Sequence, residues 1–169
     1  MNLLSPSTHL LLVLLMPLVG AGTIWLISSR GLDAVRTSAA TTAVLTLIAT
    51  GWLILRYLMS GEASSNEVFA MASLPWLTGG MFDIRLSIGL DGLSLWLFGL
   101  SALLSVTAIF VSWEAVTERV AGFYMLLLLL VAAMLGVFVA RDIILFYVFF
   151  EFTLVPLFFL IGIWGHDER

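Results

Sequence analysis

Long apolar runs broken by short polar clusters fill most of the chain, and each can be tested against the length that a bilayer demands. About 20 residues cross roughly 30 Å of hydrocarbon as a helix, at about 1.5 Å per residue. Five runs are long enough, at about 9–28, 37–59, 93–113, 120–140 and 143–164. Helices are the spanning elements they predict, because in lipid every backbone polar group has to be satisfied inside the protein. Connections between the runs are short apart from residues 60–91, where the period changes. Phe82, Ile84, Leu86, Ile88 and Leu90 are apolar, and Asp83, Arg85, Ser87 and Gly89 stand between them. That alternation predicts a half-buried strand. Gly79 and Gly80 supply a turn before it, and the apolar stretch upstream of Pro75 supplies the other half of a hairpin. A lone hairpin is marginal in water, so this one is expected to pack on the outer face of its own helices or on a neighbouring subunit. The fold class is an all-α integral membrane protein of five transmembrane helices, with a short β-hairpin between the second and third. It forms one membrane domain without a linker.

Composition agrees with this reading. Hydrophobic residues make up 62% of the chain and charged ones 11%, and the mean hydropathy is +1.14, far from the values of soluble domains. The first run is expected to stay in place as a helix rather than to be cleaved as a signal peptide, since no positive charge precedes it and Arg30 follows it. All seven basic residues are arginines, at 30, 36, 56, 85, 119, 141 and 169, so the chain contains no lysine. A net charge of −4 without a basic run argues against nucleic acid as a partner and against an anionic-lipid anchor. The absence of cysteine excludes disulfides, thiolate metal sites and iron–sulfur ligation, which places electron transfer outside this chain. His9 and His166 flank apolar runs as interfacial residues rather than metal ligands. Counting arginines favours an external N-terminus by four (30, 36, 119, 169) to three (56, 85, 141), with the long connection outside and GHDER inside. Trp25, Trp52, Trp76, Trp113 and Trp164 fall near the predicted boundaries, where interfacial anchors collect.

Most charged residues have structural explanations. Asp91 or Ser94, in the sequence DGLS, is suited to be the N-cap of the third helix. Arg56 lies near the end of the second span and can extend its charge to the interface. Arg141 and Asp142 mark a tight turn between the fourth and fifth spans, where they are expected to neutralise one another. Glu151 is different. No other Asp, Glu, Lys, Arg or His lies between Asp142 and His166. Its position, about 12 Å along the helix axis from Ile143, is too deep for its short side chain to reach water. Pro156 follows one helical turn later; lacking an N–H, it leaves the Phe152 carbonyl without its helical partner and is expected to kink the helix. An acid beside a freed carbonyl is how a helix lines a polar cavity. A protonated glutamic acid making one interhelical hydrogen bond is the alternative reading of the same residue.

The segments SLPWLTGGMFDIRLSIGLDGLSLWL and GVFVARDIILFYVFFEFTLVPLFFLIGIWG resemble the antiporter-like subunit M (chain 4) family of NADH:quinone oxidoreductase, respiratory complex I. The resemblance covers nearly the whole chain and is most specific at the DGLSL helix start and around Glu151 and Pro156. It implies a proton-translocating membrane subunit that couples NADH oxidation and quinone reduction to proton pumping. Glu151 falls on the family's membrane glutamate, the proton-transferring half of a glutamate–lysine pair whose lysine sits on a later helix. The hairpin, in that family, links neighbouring membrane subunits. NAD, FMN, iron–sulfur clusters and quinone are then expected in other subunits, with quinone reached only indirectly. The partners implied are other membrane subunits, the lipid bilayer and protons, in a bacterial inner (plasma) membrane. Family members have about fourteen helices, so the resemblance also implies a partial, antiporter-like fold that does not transport by itself. A subunit of a multisubunit sodium/proton antiporter or membrane-bound hydrogenase, which shares this fold and glutamate, is the alternative; a non-catalytic structural piece is another.

Overall fold

The computed structural model describes residues 5–60, 68–78 and 83–165. They form α1 (Pro6–Ile27), a short 3-10 turn (Ser28–Arg30), α2 (Leu32–Met59), β1 (Phe69–Thr78), β2 (Asp83–Leu90), α3 (Gly92–Ala115), α4 (Val120–Val139) and α5 (Ile143–Trp164). Each of the five helices is long and apolar enough to cross a membrane. The chain is an integral, multi-pass membrane protein. Two helices start earlier than the apolar pattern alone predicts, and local chemistry explains both. Ser5 caps α1 by accepting the Thr8 N–H at 3.2 Å. Pro6 then occupies the first turn, where its missing N–H leaves nothing unsatisfied. The first turns of α2 are polar but helical, with Asp33 placed where the helix dipole favours a carboxylate.

Four helices pack around α4, which contacts α1, α2, α3 and α5. On the hairpin side the core holds Leu10, Val13, Leu53, Leu95, Phe98 and Leu135. On the other side it holds Ile24, Ala39, Ile109, Tyr124 and Leu128. In lipid, helices associate through close packing rather than through expulsion of water, so small residues matter at their crossings. Gly20 of α1 is one such residue: a Cβ there would collide with the Thr42 side chain of α2.

β1 and β2 pair antiparallel, from Phe69 opposite Leu90 to Thr78 opposite Asp83. β1 continues through Pro75, and the pairing is irregular immediately after it, as expected of a residue that donates no ladder bond. A second irregularity beyond Phe69 holds Ala70 at φ 57°, a left-handed conformation uncommon outside glycine. Gly79, Gly80 and Phe82, at the sequence-predicted turn, lie outside the described residues, as do His166 and Arg169. The hairpin packs on its own helices: Leu90 is buried, and Phe69 meets Tyr57 edge-on at 5.4 Å. β2 also reaches the α4–α5 turn. The Arg141 N–H donates to the Ser87 carbonyl at 2.9 Å, and Ile88 pairs with Ala140.

Candidate functional site

The site is built on α5, whose sequence shows no polar stripe and has Glu151 as its one charged residue. Its rotation is therefore set by packing rather than by an amphipathic stripe. Three contacts hold the helix. Near its start, Asp142 caps the first turn by accepting the Ile144 N–H at 2.7 Å, while Arg141 bonds to β2 through its backbone. At mid-height the Phe149 ring lies on Gly136 of α4 so closely that a Cβ at position 136 would enter the ring. At its far end, Trp164 donates its indole N–H to the Glu118 carbonyl at 2.9 Å and meets Phe123 edge-on at 5.4 Å.

This packing aims Glu151. Phe149 faces α4, and two residues at roughly 100° each carry Glu151 about 200° around the axis, to the side facing away from α4. The carboxylate is exposed there and shares its face with Tyr147 and Phe158, which are 61% and 72% exposed. Tyr147 lies one turn earlier on that face. An ionisable group at mid-membrane on a face that no described helix covers is suited to a partner on another helix and is costly in lipid. Pro156 is the buried residue of α5, and the helix continues through it as one element. On the flank, α4 and α5 border an open apolar groove of about 310 Å³ lined by Met134, Phe138, Phe150, Thr153 and Leu157 among others.

Asp91 has a structural job at the edge of the membrane. It is the N-cap of α3, accepting the Ser94 N–H at 2.7 Å. Ser94 is thus the donor inside the first turn, not a second cap. Arg141 binds the other oxygen of Asp91 at 3.0 Å. The turn residues Arg141 and Asp142 therefore do not neutralise one another, because the arginine turns to Asp91 and the aspartate to its own helix. The Ser94 N–H, the Ser94 hydroxyl and the Arg141 guanidinium together hold the Asp91 carboxyl below the usual carboxylate range. Tyr147 is the neighbour that the sequence reading passed over. Its signal was the four-residue spacing to Glu151, hidden inside the apolar run FYVFF.

No family model matches the chain. Among curated proteins it is 33% identical over 156 residues to NADH-quinone oxidoreductase subunit M of Escherichia coli K12, covering 91% of this chain and 30% of that protein. It is 34% identical to subunit M of Rhodobacter capsulatus, covering 99% of this chain and 31% of that one. The F(420)H(2) dehydrogenase subunit M of Methanosarcina mazei is 34% identical over 94% of this chain and 30% of its own length. Among solved structures, a chain of the archaeal membrane-bound sulfane sulfur reductase shares the fold at a TM-score of 0.74 and 18% identity, over 95% of this chain and 31% of that one. The chain spans about 30% of the length of the curated relatives it matches. Across that span it belongs to the subunit M, or chain 4, family of NADH-quinone oxidoreductases.

Proposed function

We propose that this chain forms part of the proton-translocating membrane arm of an NADH-quinone oxidoreductase, and that Glu151 takes up and releases the proton. The observation that carries the reading is the position of Glu151: the one acid of α5, near mid-membrane, turned away from its own bundle. A cation brought near the carboxylate favours its ionised form, and withdrawal of that cation in a dry environment favours the acid. Alternation between the two loads and unloads one proton. The cation is a lysine on a helix outside this chain, which has none of its own. The names of its relatives support a coupling role over a donor-oxidising one, since subunit M occurs in proteins named for NADH and for F(420)H(2). NAD, FMN, iron–sulfur clusters and quinone belong to other subunits of the complex. We place the chain in a bacterial inner membrane with its N-terminus and hairpin outside.

In the assembled complex, Glu151→Gln keeps size and removes the titration. NADH oxidation by the hydrophilic arm is expected to persist while protons translocated per NADH fall several-fold in membrane vesicles. An unchanged proton yield sinks the proposal. Glu151→Asp retains the titratable group and is expected to fall between the two.

A further inference from the structure

The apolar core of the bundle is interrupted halfway across the membrane. On the hairpin side it ends at Leu14 of α1, Leu53 of α2 and Phe98 of α3, and the opposite cluster resumes at Ala21, Ala43 and Ile109 of the same helices. Between the two lie Pro17, Thr46, Thr50, Ser101, Ala102 and Ser105, all buried. Three of the hydroxyls in this layer donate to carbonyls of their own helices: Thr46 to Thr42 at 2.8 Å, Ser101 to Leu97 at 3.0 Å and Ser105 to Ala102 at 2.7 Å. Thr50 does not. Its residue is 0% exposed, and its hydroxyl meets no hydrogen-bond partner among the described residues. Drying such a donor without pairing it is unfavourable.

An unpaired acceptor stands beside it. Pro17 has no N–H, so the Val13 carbonyl lacks the helical donor it would otherwise have. Val13 lies two turns before Gly20 on the same side of α1, and Gly20 faces Thr42 of α2. Thr23 and Ser38, whose hydroxyls are 3.3 Å apart, belong to the same antiparallel register. Continued along α2, that register brings Thr50 level with Leu12, next to Val13. Thr50 shares the buried stripe of α2 with Thr46, Leu53 and Tyr57, so its hydroxyl is turned into the bundle rather than out to lipid. A donor without an acceptor and an acceptor without a donor therefore share one depth.

We propose that Thr50 and the Val13 carbonyl hold a single buried water molecule between α1 and α2, the Thr50 O–H donating to the water and the water donating to the carbonyl. Water fits because it accepts and donates at once, and internal waters take partners of this kind. The layer holds no Asp, Glu, Lys, Arg or His, so an ion there would be buried without a counter-charge. The water also closes the break that Pro17 makes in α1, as ordered waters do at prolines inside membrane helices. The site is independent of Glu151, which faces away from this bundle.

The test is a map of the assembled complex in lipid nanodiscs, at a resolution that shows ordered water. A peak within about 3.2 Å of both the Thr50 Oγ1 and the Val13 oxygen is expected. Thr50→Val keeps the shape and deletes the hydroxyl; the peak is expected to vanish and the melting midpoint of the complex to fall. A hydroxyl that held nothing would give the opposite sign, because Thr50→Val would then remove an unpaired polar group and raise the midpoint. Pro17→Ala returns an N–H to the Val13 carbonyl and is expected to lose the peak from the other side. Thr50→Ser retains the O–H and is expected to keep it. The inference is overturned by a parent map with no peak where the neighbouring carbonyls are resolved, by a direct bond between Thr50 and Val13, by a peak that survives both Thr50→Val and Pro17→Ala, or by a raised midpoint in Thr50→Val. If Thr50→Val does not assemble, the parent and Pro17→Ala maps decide it.

Discussion

Gly136→Ala tests whether the seat of Phe149 sets the direction of Glu151. A Cβ at position 136 would lie 2.5 Å from both Cγ and Cε1 of the Phe149 ring, whereas apolar carbons rest at about 3.5 Å or more. The ring has to retreat by about 1 Å, and overpacking of that kind costs about 1–3 kcal/mol. Side chains reach about 5–6 Å from a helix axis, so a 1 Å displacement met by rotation turns α5 by about 10° and moves the Glu151 carboxylate about 1 Å. Misplacement on that scale costs up to about 100-fold where a group must meet a partner in fixed geometry. The assay is proton translocation by vesicles containing the assembled complex, normalised to NADH oxidation, with assembly followed on native gels. Gly136→Ala is expected to lower the proton yield more than it lowers the amount of complex. Adding Phe149→Leu, which removes the far edge of the ring, is expected to restore much of the loss. Full proton yield in the single variant, or a double variant no better than the single, would refute the steric seat.

Other expectations concern stability. Asp91→Ala removes a helix cap and is expected to cost about 1 kcal/mol. Asp91→Asn keeps the cap and loses only the exposed pairing with Arg141, worth about 0–1 kcal/mol; thermal unfolding of the solubilised complex ranks the two, and equal losses would contradict the cap. Because the folded state holds the Asp91 carboxyl low, its stabilisation is present above the ordinary carboxylate range and is lost as pH falls below about 4. The difference between parent and Asp91→Asn should therefore narrow in acid. Gly20→Leu places a branched side chain where even a Cβ meets Thr42, and the yield of assembled complex should fall sharply, with Gly22→Leu, where a Cβ meets nothing, as the tolerant control.

Five spans and the hairpin were legible because length and period carry them: an apolar run of the required length reads as a crossing, and Phe82 to Leu90 alternate. Glu151 was legible for the opposite reason, as one charge in a helix otherwise devoid of it. What the sequence could not give is direction. α5 has no polar stripe to mark the side that meets α4, and the Gly136–Phe149 contact that decides it joins two residues apolar enough to pass unnoticed. Pairing at a distance was equally hidden. Arg141 stands beside Asp142 in sequence, yet its partner Asp91 lies 50 positions earlier, because Asp142 is already committed to the first turn of α5. Helix starts at Pro6 and Leu32 escaped a hydropathy reading because the polar turns there continue the helix beyond the oily core.

The contact between β2 and the α4–α5 turn also sets a schedule for biogenesis. Ser87, Ile88 and Asp91 are made well before Ala140 and Arg141, with 50 positions between Asp91 and Arg141. At about 5–20 residues per second, synthesis leaves an interval of about 3–10 s between them. During it the new hairpin has its own two strands and the earlier helices to rest on, but not the backbone bonds that later secure its second strand. A nascent chain of this family therefore carries an unsecured strand edge for seconds at the membrane surface, which makes that interval the one in which mispairing or proteolysis has its opening.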